Sequence, residues 1–170
     1  MLICFEGPEG SGKTTLIKRL CEEDNLPLWE RPKEIEKFKE EQGHYDLFVL
    51  NEMSILRCID WTKNDLVVDR HPIVSEWVYS TLYERPSKVP KGDLSLFSEG
   101  TCFIFLRRQW KDELKNLEQA LYDAAMCFVA RKFPVLILRT DEESIDACFY
   151  QIDFFLSEVK YPCIWRCDYA

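Results

Sequence analysis

Leu2-Ile3-Cys4-Phe5-Glu6-Gly7-Pro8-Glu9-Gly10-Ser11-Gly12-Lys13-Thr14-Thr15-Leu16-Ile17 is the stretch on which the reading of this chain turns. Leu2–Glu6 is a short apolar run that stops at glycine, the pattern of a buried strand. Lys13–Glu23 carries Leu16, Ile17 and Leu20 at helical spacing. Between them, Gly7 through Thr14 matches G-x-x-x-x-G-K-[ST] without a mismatch. Glycines let the backbone curl so that its N–H groups converge on an anion, and the following helix adds its unpaired N–H groups and positive end. Gly7, Gly10, Ser11, Gly12, Lys13, Thr14 and Thr15 are therefore expected to hold the phosphates of a nucleoside triphosphate. Lys13 would reach the β- and γ-phosphates, and the Thr14 hydroxyl would enter the shell of a Mg²⁺ ion.

Strand and helix signals alternate outward from this loop. Leu26–Trp29 reads as a short, weak strand closed by Glu30-Arg31-Pro32, and a helical region follows with Leu47, Leu50, Ser54, Ile55 and Cys58 near one face. Asp65–Asp69 reads as a strand, Ile73–Tyr83 as a helix and Thr101–Leu106 as a strand. Trp110–Lys132 reads as a long helix whose Leu114, Leu117, Leu121, Ala125 and Phe128 recur every three or four residues. Val135–Leu138 is a further strand, and Thr140-Asp141-Glu142-Glu143 has the form of a capping box opening a helix through Val159. Such alternation implies βαβ units and a parallel sheet covered on both faces. Lys33–Gln42 reads as a solvated charged segment and Pro86–Gly92 as a turn-rich loop.

The 170 residues, 46% hydrophobic and 31% charged, fit one globular domain over 1–170. No window approaches the roughly 20 uninterrupted apolar residues of a membrane span. A net charge of −8 argues against a broad basic surface for duplex nucleic acid or anionic lipid. The run from Met1 to Gly7 leaves no room for a signal or transit peptide, and eight scattered cysteines read as free thiols; both point to the cytoplasm.

Two further residues sharpen the chemistry. Asp69 closes the Asp65–Asp69 strand, at the carboxyl end where open α/β sheets bind ligands, and is expected to hold Mg²⁺ or its water shell. Arg70 beside it is costly unless phosphate oxygens are near. Glu9, inside the phosphate loop, is unfavourable next to a triphosphate unless it points toward a second substrate.

These residues resemble the thymidylate kinases. Phe5 through Thr15 is similar to that family's phosphate loop, and Val67-Val68-Asp69-Arg70-His71 with Ser75 and Tyr79 resembles its Asp-Arg-Tyr/His motif. Trp29-Glu30-Arg31-Pro32 is similar to its Arg-Glu-Pro with the charges exchanged. The resemblance covers about residues 1 to 159. It implies a three-layer P-loop NTPase fold with five parallel strands in the order 2-3-1-4-5 and helices on both faces. It also implies transfer of the γ-phosphoryl group of ATP to a deoxynucleoside 5′-monophosphate. Glu9, Glu30, Arg31, Phe48, Arg70, Ser75 and Tyr79 would face the acceptor, with Glu9, Lys13, Asp69 and Arg70 at the reacting group. Where the family has an arginine on the helix after Phe48, this chain has Glu52, and Arg57 is the candidate to replace it. Roughly 28 residues separate the last two strands, most of them fitting the long helix, so the arginine-bearing lid is shortened or absent. Arg107 and Arg108 are then the nearest cations for the transition state. A compact chain of this kind suits a viral member acting in the host cytoplasm, and the Phe48–Ile59 stretch allows a homodimer.

Deoxynucleoside kinases share the loop but need a general base for a 5′-hydroxyl, a part open to Glu30. Arg31, Arg57 and Arg70, and an Asp rather than a Glu before the arginine, favour a nucleotide acceptor. A modified nucleotide or base as acceptor, and a nucleotide-binding switch without transfer, are the remaining readings.

Overall fold

A computed structural model describes residues 1–30, 45–61 and 63–160. The segment Lys33–Gln42, Arg31 and the cysteines at 163 and 167 lie outside the described residues. In chain order the elements are β1 (Leu2–Glu6), α1 (Lys13–Glu23), α2 (Tyr45–Arg57), β2 (Leu66–Asp69), α3 (Pro72–Leu82), a 3-10 turn (Leu94–Leu96), β3 (Thr101–Arg107), α4 (Glu113–Val129), β4 (Val135–Arg139) and α5 (Ile145–Lys160). The strands form one parallel sheet in the order β2-β1-β3-β4. No helix among the described residues is long and apolar enough to cross a membrane.

Alternation along the strands splits the core in two. Leu2, Cys4, Val68, Phe103 and Phe105 face α2, α3 and α4, whereas Ile3, Phe5, Val67, Ile104, Leu106 and Leu138 face α1 and α5. Strands buried on both sides have no room for polar alternation, which is why β1 and β3 read as continuous apolar runs.

Four expectations need correction. Among the described residues the sheet has four strands, not five. Leu26–Trp29 makes only an isolated parallel bridge, Leu28 to Val67, at the β2 edge, with Trp29 N–H donating to Val67 O (2.7 Å) and Val67 N–H to Pro27 O (2.9 Å). Pro27 has no N–H to extend the ladder. On α4 the buried face is Glu118, Tyr122, Ala125 and Val129, while Leu114, Leu117 and Phe128 are exposed. Glu118 and Tyr122 turn inward because both hydrogen-bond to Tyr79 of α3 (2.9 and 3.4 Å). On α2, likewise, Phe48, Val49, Glu52, Met53 and Leu56 are buried and Leu50, Ile55 and Cys58 are exposed; Glu52 is held inside by the Trp29 indole N–H (2.9 Å). Finally, Ser144 rather than Thr140 caps α5, its hydroxyl accepting from Ala147 N–H (3.1 Å). Thr140 is committed to β3, donating through its N–H to Arg107 O (3.1 Å).

The ends of β1 and β2 are joined by a buried contact. Glu6, closing β1, accepts from the His71 N–H at 2.6 Å, and Arg70 N–H donates to Phe5 O at 3.0 Å. His71 caps α3, its Nδ1 accepting from Ile73 N–H (3.3 Å) ahead of Pro72 at the first turn, and its ring stacks on Phe97 at 4.5 Å. Burial pushes the His71 imidazole down to about 3 and the Glu6 carboxyl up to about 8. Both are therefore neutral in the folded chain near pH 6.

Their linkage to stability runs in opposite directions. The depressed His71 contributes stability above its unfolded value near 6.5 that is lost as pH falls toward 3. The raised Glu6 contributes stability below about 4.5 that is lost as pH rises through 8. Urea unfolding between pH 6.5 and 8, above the range in which His71 contributes a slope, should show a loss of about 2 kcal/mol toward the alkaline side, and Glu6→Gln should flatten it. An unchanged slope in that variant contradicts the assignment.

Candidate active site

The carboxyl ends of β1 and β2 open into a cavity of about 650 Å³ lined by Glu9, Gly10, Gly12, Lys13, Thr14, Thr15, Asp69 and Arg70. Local chain requirements build it. Gly7 (φ 138°) lies so close to β3 that an added Cβ would sit 2.6 Å from Leu106 O, so only glycine lets the chain leave β1 there. Gly12, at φ 93°, begins α1 without a side-chain cap, which leaves the N–H groups of the first turn to the cavity. Ser11 N–H donates to Pro8 O (3.3 Å), closing the loop on itself.

Lys13 is buried, its Nζ donating to Gly7 O and Pro8 O (both 2.7 Å) and within 3.4 Å of Ser11 Oγ. Burial, then the neighbouring Arg70, lowers its pKa to about 8. Three acidic neighbours, Asp69, Glu6 and Glu118, pull the other way. Arg70 adopts a left-handed backbone (φ 71°), a strained conformation for a side chain with a Cβ, fixed by its N–H bond to β1. Its guanidinium lies 5.4 Å above the Tyr79 ring. Burial opposes its charge, but Tyr122, Tyr79, Glu6 and Asp69 together hold it above its usual value. Beneath it, Tyr79 donates to Glu118 Oε1 (2.9 Å), and Lys115 Nζ pairs with Glu118 Oε2 (2.9 Å). Burial lifts the Tyr79 phenol to about 12, so it is a hydrogen-bond donor at neutral pH.

Two more cavities adjoin the first. On the β2 side, one of about 530 Å³ shares Glu9 and Arg70 with it and is lined further by Phe48, Ser75, Glu76, Tyr79, Tyr83 and Arg85. Ser75 Oγ is buried there without a hydrogen-bond partner among the described residues. On the β4 side, a smaller cavity of about 180 Å³ shares Gly12 and Thr15 and includes Ser11, Arg108, Glu143 and Cys148. Arg108 Nη1 donates to Gly10 O (3.1 Å), and the Trp110 ring lies 3.4 Å from where a Gly10 Cβ would stand. Between β3 and β4, α4 takes up most of the chain, and no separate lid intervenes.

The expected residues thus divide. Gly10, Gly12, Lys13, Thr14, Thr15, Asp69, Arg70 and Glu9 converge on the central cavity, Phe48, Ser75 and Tyr79 on the β2-side cavity, and Ser11 and Arg108 on the β4-side one. Four do not join them, among them Gly7, which shapes the loop without lining any of these three cavities. Arg57 donates to Ser95 O (2.9 Å) in a separate cavity with Trp61 and Gly100, beside the strands' amino ends. Arg107 is paired with Asp123 at 2.6 Å, and Glu30 is exposed and lines none of these cavities. Sequence reasoning missed Arg85, which makes a two-pronged pair with the buried Glu76 (2.9 and 2.6 Å) in the β2-side wall. A left-handed Glu84 (φ 47°) turns the chain back to place it, a signal no spacing rule carries. Glu6 was legible as a lone carboxylate ending an apolar strand, and Glu118 as a charge inside a long helix.

Thr14 and Asp69 both face the central cavity, but no cluster of three or more His, Cys, Asp or Glu side chains suited to a metal occurs among the described residues. That donor set fits Mg²⁺, which keeps waters and phosphate oxygens rather than taking an all-protein cage.

No protein-family model matches the chain, nor does any curated protein at a significant level. Solved structures do. YorR from Bacillus subtilis, determined in complex with phosphorylated GDP, superposes with TM-score 0.69 at 18% identity, over 95% of this chain and 98% of that one. Thymidylate kinase from Candida albicans gives 0.64 at 16% identity over 94% and 92%. Deoxyadenosine kinase from M. mycoides with bound dCTP gives 0.58 at 16% identity over 93% and 100%. At these identities it is the fold that is shared: the chain has the architecture of the thymidylate kinase-like P-loop kinases.

Proposed function

We propose that this chain transfers the γ-phosphoryl group of ATP to the phosphate of a deoxynucleoside 5′-monophosphate, giving the diphosphate. The observation that carries the reading is Arg70. It stands on the wall shared by the phosphate-loop cavity and the β2-side cavity, where a transferring phosphoryl group and an acceptor phosphate would meet. A nucleotide acceptor arrives ionised and calls for cations rather than a base. Arg70, with Arg85 further along the same wall, supplies them, while Glu30 lines neither cavity.

In this reading the first-turn N–H groups of α1 and the Lys13 ammonium bind the triphosphate. Thr14 and Asp69 hold Mg²⁺, which when bound neutralises charge on the phosphate oxygens. Glu9, between the central and β2-side cavities, orients the acceptor sugar. Arg108, anchored to the loop at Gly10 O, stands beside the triphosphate on the β4 side. Phe48, Tyr79 and Tyr83 give the acceptor base its apolar walls, and Tyr79 also fixes Arg70. The partner is a nucleotide, and nothing in the mechanism calls for duplex nucleic acid.

ADP release from Mg·ATP, measured against all four deoxynucleosides and their 5′-monophosphates, tests the assignment. Stimulation by a monophosphate is expected. Stimulation by nucleosides alone would overturn it and make Glu9 the base for a 5′-hydroxyl. Lys13→Met should lower kcat/KM roughly 10³-fold. The same variant should leave Tm unchanged or slightly raised, because the lysine is held buried at a desolvation cost. Arg70→Ala should raise the acceptor KM and cut kcat by about 10²-fold or more, whereas Arg57→Ala should leave both near wild type.

A further inference from the structure

We infer that Glu143 selects the base of the phosphoryl donor, accepting a hydrogen bond from the exocyclic amine of adenine and disfavouring purines with a 6-oxo group. The inference rests on the reading of the loop as a nucleoside triphosphate site.

The direction of the triphosphate follows from the loop. Backbone N–H groups at the start of α1 cradle the α- and β-phosphates, and Lys13 takes the β- and γ-phosphates. Asp69 and Arg70, at the end of β2, line the same cavity, and neither lines the β4-side cavity that Thr15 shares. The phosphate chain therefore runs from Thr15 toward Arg70, and the base falls on the Thr15 side. The space there is the cavity of about 180 Å³ that shares Gly12 and Thr15 with the phosphate cavity. It is of the size of a single heterocycle, well below the range of whole-ligand pockets.

Glu143 is the one carboxylate among the residues around that cavity, and it is held firmly. Its N–H donates to Arg139 O (3.1 Å), and Thr140, three residues earlier, is tied to Arg107 O. Its Oε2 accepts from Gln151 Nε2 (2.6 Å) and from the Cys148 thiol (3.6 Å). Burial first, and Glu143 next, push that thiol up to about 11, so it stays an S–H donor. Oε1 takes no hydrogen bond among the described residues. A carboxylate only accepts, so Glu143 brings to this wall an acceptor that cannot turn into a donor, as the hydroxyls of Ser11, Thr15 and Thr140 can, while Arg108 lines the same cavity as a donor. Adenine meets the carboxylate with the N6 amine. Hypoxanthine and guanine bring an oxo group to the same position, acceptor against acceptor, and reach Glu143 with N1–H only by shifting from the place adenine takes.

The experiment is equilibrium binding of Mg·ATP, Mg·ITP and Mg·GTP to the full chain by calorimetry, with no acceptor present. Wild type should bind ATP roughly 10- to 100-fold more tightly than ITP, the scale of one hydrogen bond to a charged group. Glu143→Gln, whose amide both donates and accepts, should bring the ratio to within about threefold, and Glu143→Ala should do the same by weakening ATP alone. A wild-type ratio near one, or a ratio unaltered in both variants while ATP still binds, overturns the role of Glu143 and leaves the triphosphate site standing. Absence of ATP binding in wild type overturns both. Lys13→Met, as a control, should weaken ATP and ITP by the same factor.

Discussion

The hydrogen bond from the His71 backbone to the buried Glu6 carboxyl is the contact on which the site depends. It fastens the tip of β2 to the tip of β1, and the Arg70 N–H bond to Phe5 O repeats the connection one residue earlier. In a parallel sheet both tips point the same way, so the fastening fixes the phosphate loop that leaves β1 against the Asp69-Arg70 pair that ends β2. It also sets Arg70 in its left-handed conformation and starts α3 at His71. One buried carboxyl thus places the lysine, the acidic metal-side residue and the arginine relative to one another. The low-dielectric setting that makes Glu6 costly to ionise also strengthens every charge interaction around it.

From that arrangement follows a track of three joined cavities. Gly12 and Thr15 link the smallest to the phosphate cavity, and Glu9 and Arg70 link the phosphate cavity to the β2-side one. The α3–α4 interface supports its middle from below. Tyr79, Glu118, Lys115 and Tyr122 form a hydrogen-bonded set under Arg70, built from the face of α4 that periodicity alone assigns to solvent. The compactness of the chain between β3 and β4 is met by Arg108 and Trp110, which reach the phosphate loop directly from the end of β3.

The central cavity was readable in the sequence because its requirements are local. A glycine that must meet a neighbouring carbonyl, a lysine at the start of a helix and an acid at a strand end all leave fixed spacings, as Gly7, Lys13 and Asp69 do. The flanking cavities were readable only in part. Phe48, Ser75 and Tyr79 could be placed through resemblance, but Arg85 reaches Glu76 through a left-handed turn at Glu84, and Glu143 through a turn pinned to β3. The faces of α2 and α4 were misread for one physical reason: buried hydrogen bonds from Glu52, Glu118 and Tyr122 outweighed the apolar stripe. Arg57 and Arg107 show the converse. Both stand in plausible sequence positions, and a carbonyl at Ser95 and a carboxylate at Asp123 draw them elsewhere. The missing fifth strand came down to Pro27, which limits that edge to a single bridge.

The central claim is that the three cavities act as one continuous binding track with Lys13 at its middle. Calorimetric titration with adenosine joined through five phosphates to each of the four deoxynucleosides tests it most directly. At least one of the four should bind about 100-fold more tightly than Mg·ATP at one per chain, since the second half then binds as an intramolecular event. Lys13→Met should abolish that gain. Affinities no better than that of ATP for all four compounds would show that the cavities do not form one track, and would contradict the account.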